Sequence, residues 1–147
     1  MSKTQCKSCK HTSYAFDDYM DLSISIPRKG IRITGYVTLE ECLQNFSSTE
    51  RMEACGYKCS ACKKVDNFEK DITIYRFPRI LVIHLKRFYN SYMRREKINT
   101  SVEIPMKLNM TSYGPYSKDP TLKGAANYTL YGISHHSGTL YGGHYIG

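Results

Sequence analysis

Cys6-Lys7-Ser8-Cys9 and Cys59-Ser60-Ala61-Cys62 form two Cys-x-x-Cys knuckles separated by 49 residues, Lys10 to Lys58. A two-residue spacer lets both sulfurs of a knuckle face one coordination sphere, and two knuckles close a tetrahedral zinc site with no position left for water. Such a site is structural rather than catalytic. Zinc held by short peptides of this kind contributes about 10–16 kcal/mol of folding free energy, enough to anchor an extension that lacks a core of its own.

The remaining two of the six cysteines read differently. Cys42 lies in Thr38-Leu39-Glu40-Glu41-Cys42-Leu43-Gln44-Asn45-Phe46, where Thr38 and Glu41 have capping-box spacing. Leu39, Cys42, Leu43 and Phe46 fall on one helical face, so Cys42 is a core residue. Cys55 precedes the second knuckle as a loop thiol or an alternative ligand, with spacing that suits zinc less well than Cys59. Neither sits at a helix N-terminus or beside a cation, the settings that activate a thiol.

The first residues carry no apolar stretch of signal-peptide type, and Ile80-Leu81-Val82-Ile83 is too short to cross a membrane. These features predict an intracellular protein, cytoplasmic, nuclear or both, with no membrane partner. In that setting cysteines serve metal or remain free rather than forming a disulfide framework. A net charge of +8 is compatible with nucleic acid, acidic membranes or an acidic protein face and does not select among them. The basic residues are scattered rather than drawn into the continuous stripe that a zinc-ribbon nucleic-acid binder requires.

With 147 residues, 41% hydrophobic and 12% aromatic, the chain can bury one core and is rich in strand formers. Alternation in Thr12–Pro27 predicts one or two strands, the capped helix spans about 38–46, and Asp71–Tyr75 alternates as a half-buried strand. Arg79–Phe88 carries an apolar run suited to a central strand buried on both faces. Lys97–Ile104 and Tyr128–His135 follow as strands, separated by a Gly- and Pro-marked loop over Asn109–Ala126. The expected class is α+β, antiparallel-dominated, with a zinc-clipped projection.

Near the end stands Ser137-Gly138-Thr139-Leu140-Tyr141-Gly142-Gly143-His144-Tyr145. Gly142 and Gly143 allow a ligand chain to pass close to the backbone, and a histidine delivered there is a candidate general base for a thiol or hydroxyl nucleophile.

Together the knuckles, Tyr57-Lys58-Cys59-Ser60-Ala61-Cys62, Phe77-Pro78-Arg79-Ile80-Leu81-Val82-Ile83-His84-Leu85-Lys86-Arg87-Phe88, Lys97-Ile98, Tyr128-Thr129-Leu130-Tyr131-Gly132-Ile133 and the histidine box resemble the ubiquitin-specific proteases, cysteine-dependent deubiquitinating enzymes with a papain-like catalytic plan. The resemblance runs over nearly the whole chain. It implies a zinc-binding fingers region over about 1–75 and a palm over about 76–147, with ubiquitin and ubiquitinated proteins as partners. It makes Cys6, Cys9, Cys59 and Cys62 the zinc ligands and His144 the base. Gly142, Gly143 and Tyr145 would border the channel for ubiquitin's C-terminal glycines, and His136 would shape the site. His84 reads as a satisfied structural histidine.

Two elements of the family's plan fall outside the motifs present. The nucleophilic cysteine, with an oxyanion-binding Asn, belongs to a box ahead of the first knuckle, and the Asp or Asn that orients the histidine belongs after its box. The expectation is fingers and much of the palm without the helical thumb, inactive as a protease by itself. Its alternatives are a non-catalytic ubiquitin-binding module and, less favoured, a zinc-ribbon nucleic-acid binder.

Overall fold

Leu22-Ser23-Ile24-Ser25 alternates apolar with hydroxyl side chains, and its apolar face forms the centre of the protein's main core. A computed structural model describes residues 1–27, 35–53, 56–90, 92, 95–114 and 126–147. In it β3 (Leu22–Ser25) pairs in parallel with β7 (Ile83–Lys86), setting Leu22 opposite Ile83 and Ile24 opposite Leu85. The helix α1 (Leu39–Ser47) lays Leu39, Cys42 and Leu43 on the same core, where they join Ile24, Ile26, Ile74, Met110 and Ala126. Cys42 is fully buried, as its place on the helix predicts.

The helix starts where its sequence says it should. Thr38 Oγ1 accepts from the Glu41 N–H at 3.2 Å, and the Glu41 carboxylate accepts from the Thr38 N–H at 2.8 Å, satisfying two N-terminal donors reciprocally. Thr38 is also the last residue of β4 (Tyr36–Thr38), which pairs in parallel with β10 (Ser101–Glu103).

A second body of structure is a four-stranded antiparallel sheet in the order β2-β1-β6-β5, built from β1 (Ser2–Cys6), β2 (Thr12–Ala15), β5 (Glu50–Met52) and β6 (Phe68–Ile72). The register sets Cys6 opposite Phe68 and Phe68 opposite Met52. Cys6, Cys59 and Phe68 form a small separate core there, flanked by Met52 and Cys62. The chain returns from β6 to the main core through Thr73 and Ile74, whose N–H groups donate to the carbonyls of Met1 and Tyr113.

The rest is a series of hairpins. β8 (Phe88–Asn90) pairs with β9 (Arg95–Lys97), β11 (Lys107–Asn109) with β12 (Asn127–Thr129), and β13 (His135–Gly138) with β14 (Gly143–Ile146), all antiparallel. A 3₁₀ turn over Thr111–Tyr113 occupies part of the loop after β11. Of the eight strand pairings among the described residues, six are antiparallel, in keeping with the expected class.

Five expectations change in detail, the first being the strand read over Lys97–Ile104, which is two pieces, the end of β9 and then β10. The strand placed at Asp71–Tyr75 runs instead over Phe68–Ile72, where it finds β1 and β5 as neighbours. Within Arg79–Phe88 the strand is Ile83–Lys86, with Ile83 and Leu85 half-buried and His84 and Lys86 exposed, so it is covered on one face rather than two. His84 is satisfied at the surface, its Nδ1 2.9 Å from Ser23 Oγ, not within the core. The strand read over Tyr128–His135 is two pieces, β12 and the start of β13. Cys55 and most of the Asn109–Ala126 loop lie outside the described residues.

The candidate metal centre and the histidine hairpin

The two knuckles adopt the same local structure, which the sequence repeats as Cys-x-x-Cys-Lys. In the first, the Lys10 N–H donates to the Cys6 carbonyl at 3.0 Å and the Cys6 N–H donates to the His11 carbonyl at 3.0 Å. In the second, the Lys63 N–H donates to the Cys59 carbonyl at 3.0 Å and the Cys59 N–H to the Lys64 carbonyl at 2.9 Å. Each lysine after the second cysteine takes a left-handed conformation, φ 60° at Lys10 and 61° at Lys63, an uncommon one for a side-chain-bearing residue. That kink closes each turn.

Closure brings the four sulfurs of Cys6, Cys9, Cys59 and Cys62 within 4.8 Å of one another. Zinc–sulfur bonds of about 2.3 Å in a tetrahedron require sulfurs about 3.8 Å apart. Cys9 and Cys59 stand at 3.6 Å, so the cluster fits a four-coordinate ion with little rearrangement. Hydrogen bonds from the N–H groups of Cys62 and then Ala61 lower the Cys59 thiol to about 6. At Cys6 the Cys9 N–H favours the thiolate, but burial and the adjacent Asp66 carboxylate outweigh it and leave the thiol raised.

Asp66 is the residue that sequence reasoning missed here. Its Oδ2 accepts from the Ser8 N–H at 2.9 Å and lies 3.2 Å from Cys6 Sγ, while its Oδ1 accepts from the Asn67 N–H at 2.8 Å. The bonds from Ser8 above all hold the carboxyl well below the usual range. Asp66 thereby ties the first knuckle to the strand that follows the second. A turn-forming Asp-Asn pair was the available signal, but its partner is 58 residues away in sequence.

The histidine box folds as the β13–β14 hairpin. His136 faces Tyr145, Ser137 faces His144, and Gly138 faces Gly143. Adjacent pairs point to opposite faces of a hairpin, so His136 and Tyr145 share one face and His144 with Ser137 the other. On the first face the rings of His136 and Tyr145 are 4.7 Å apart, and Phe88 meets His136 edge-on at 5.5 Å. Burial first, then the charges of Lys97 and His135, hold His136 below the ordinary histidine range, and its Nδ1 is buried without a hydrogen-bond partner. His144 is exposed on the second face.

The glycines are used unequally. Gly138 has φ 122°, and the Thr139 N–H donates to the Gly142 carbonyl at 2.9 Å to close the loop. At Gly143 a Cβ would run into His136 Nε2 and the Ser137 carbonyl oxygen, whereas at Gly142 a Cβ would meet nothing within 4 Å. The hairpin therefore requires glycine at 143 and tolerates a side chain at 142. Lys97 completes the neighbourhood by donating from Nζ to the carbonyls of His136 and Gly138.

No helix among the described residues is long and apolar enough to cross a membrane. Comparison with known proteins matches the family model for ubiquitin carboxyl-terminal hydrolase over residues 1–147. Ubiquitin carboxyl-terminal hydrolase 2 of Gallus gallus is 38% identical over 146 residues, covering 98% of this chain and 39% of that protein. Ubiquitin carboxyl-terminal hydrolase 21 of Homo sapiens is 36% identical over 142 residues, covering 96% of this chain and 24% of that protein. The chain thus spans less than two fifths of these relatives' length. Among solved structures, the SAGA DUB module of Ubp8, Sgf11, Sus1 and Sgf73 bound to monoubiquitin matches with a TM-score of 0.78 at 30% identity, over 98% of this chain and 30% of that one. With the knuckles, the strand order and the histidine hairpin in place, the chain belongs to the ubiquitin carboxyl-terminal hydrolase family of cysteine proteases.

Proposed function

We propose that these residues form the zinc-clipped fingers and the base-bearing palm of a cysteine-type deubiquitinase that cleaves after the C-terminal glycine of ubiquitin. The observation that carries the reading is the β13–β14 hairpin, where exposed His144 follows a glycine that admits no side chain. Ubiquitin as the partner, with its conjugates, is supported by the monoubiquitin in the related DUB module. The fingers correspond to about 1–75 and the palm to about 76–147, with β3, β4 and α1 crossing into the palm's core.

In the proposed reaction His144 accepts the proton of a cysteine thiol, and the thiolate adds to the carbonyl carbon of ubiquitin's terminal glycine. The imidazolium then protonates the lysine amine as its C–N bond breaks. Water, giving its proton to the same ring, cleaves the thioester and restores the thiol. Gly142, Gly143 and Tyr145 border the path of the ubiquitin tail, and His136, packed against Tyr145 on the face opposite His144, shapes the hairpin that carries them. Cys6, Cys9, Cys59 and Cys62 would hold Zn²⁺, which supplies a cross-link and no chemistry.

The described cysteines do not offer the thiol. Four belong to the knuckle cluster, and Cys42 is sealed in the main core, where burial raises its thiol. These 147 residues alone are therefore not expected to hydrolyse ubiquitin amides. The test uses a fluorogenic ubiquitin C-terminal amide with this chain and with a longer protein that adds the nucleophile to it. The chain alone should give no turnover, and His144→Ala in the longer protein should lower kcat on the order of 10²–10⁴-fold while labelled ubiquitin still binds. Turnover by the chain alone, or a kcat indifferent to His144→Ala, would contradict the reading. Saturable ubiquitin binding with a catalytically inert longer protein would instead identify a binding module.

A further inference from the structure

We infer that Lys97, seconded by Phe88, is a positioning residue for His144, fixing the histidine hairpin from the neighbouring β8–β9 hairpin. The inference rests on the reading of His144 as the base and adds the residues that hold it in place.

Phe88 and Lys97 are directly opposite one another in the β8–β9 pair, so their side chains project from the same face. Both reach the β13–β14 hairpin, at different points. Lys97 Nζ donates to the Gly138 carbonyl at 2.8 Å and to the His136 carbonyl at 3.3 Å. Carbonyls two residues apart on a strand point to the same edge, so one ammonium with three donors can serve both. Phe88 places its ring edge-on to His136 at 5.5 Å.

The two contacts converge on His136, Lys97 at its carbonyl and Phe88 at its ring, whose Nδ1 is buried without a partner. The ring is held by packing between Phe88 and Tyr145 and by the backbone of Gly143, against which Nε2 lies so closely that a Cβ could not be inserted. Gly143 is the residue before His144. A path of direct contact thus runs from Lys97 and Phe88 through His136 and Gly143 to the base, which itself projects from the other face and touches neither. Arg87 holds the clamp's own footing, donating from Nη1 to the carbonyls of Ile98 at 3.0 Å and Thr100 at 2.8 Å.

A base displaced by about 1 Å can cost on the order of 10²-fold in rate with little effect on binding. In the longer protein that carries the nucleophile, Lys97→Met should lower kcat for the ubiquitin C-terminal amide by about 10–100-fold, with KM changed less than about 2-fold. Lys97→Arg keeps a cation with several donors and should recover most of that loss, a rescue that mere packing would not require. Wild-type kcat in Lys97→Met, or a loss that Arg does not recover, overturns the inference. If Lys97→Met folds too poorly to assay, Phe88→Leu stands in for it: a kcat fall of a few-fold at unchanged KM supports the clamp, and wild-type kcat overturns it. His144→Ala in parallel separates the two claims. Turnover surviving that change removes the base assignment itself, whereas its loss beside an unaffected Lys97→Met removes the clamp alone.

Discussion

Gly142 and Gly143 are neighbours of identical composition and unequal constraint. A methyl at 143 would collide with His136 Nε2 and the Ser137 carbonyl, whereas one at 142 would enter open space. In the longer protein that carries the nucleophile, Gly143→Ala should therefore reduce kcat and lower the melting temperature, because the hairpin must open to admit the methyl. In the same protein Gly142→Ala should leave melting unchanged and, on the proposed path of the ubiquitin tail over the loop, raise KM. Thermal melts and steady-state kinetics of both variants check this; equal melting losses would show that the loop is packed more tightly than the hairpin geometry allows. The Gly-Gly-His signature was legible in the sequence as a place of close approach. The assignment of His136 and His144 to opposite faces was not, because parity depends on the register set by the turn. Likewise the four cysteines announced themselves through their spacing, while Asp66 acquires its role only from a contact across 58 residues.

Among the elements, α1 was the most legible, because a helix N-terminus is satisfied by residues next to it in sequence. Thr38 and Glu41 make both bonds of the capping box, and Leu39, Cys42 and Leu43 are the buried face that the periodicity predicts. Replacing Thr38 by Ala removes the acceptor for the Glu41 N–H and should cost about 1 kcal/mol, within the usual 0.5–2 kcal/mol range for a lost cap. Urea denaturation would read it as a lower midpoint at unchanged slope, and an unchanged midpoint would mean that β4 and the core hold the helix start without the cap. The strands were less legible because their burial is decided by partners that local pattern does not reveal. The Ile80–Ile83 run reads as doubly buried, yet Ile80 and Val82 are more than half exposed and the strand that forms starts only at Ile83. Beside it stands β3, whose register sets Leu22 and Ile24 next to Ile83 and Leu85, so that these four share the one face that meets the core.

At the scale of the whole molecule, two cores are joined by three passages of the chain, from β2 to β3, from α1 to β5 and from β6 to Ile74. The main core gathers β3, α1, Ile74 and Met110, and the smaller one contains little beyond Cys6, Cys59 and Phe68. So few apolar side chains cannot by themselves hold an antiparallel sheet whose β1 and β6 are more than sixty residues apart, since ordering each residue costs about 1–2 kcal/mol of backbone entropy. The four sulfurs are placed to make up the difference, because a bound ion converts binding free energy into folding free energy. Chelation of a zinc-loaded chain should therefore deprotect the amides that close the knuckles, Cys6, Lys10, Cys59 and Lys63, together with those of β1 and β6 beside them. The amides of α1 and β3 should stay protected, since their packing does not pass through the cysteines. Hydrogen exchange followed by mass spectrometry resolves the two regions, and Cys59→Ser should reproduce the pattern without chelator. Loss of protection in α1 to the same extent would show instead that both cores unfold as a single unit, with the metal supporting the main core as well as the smaller one.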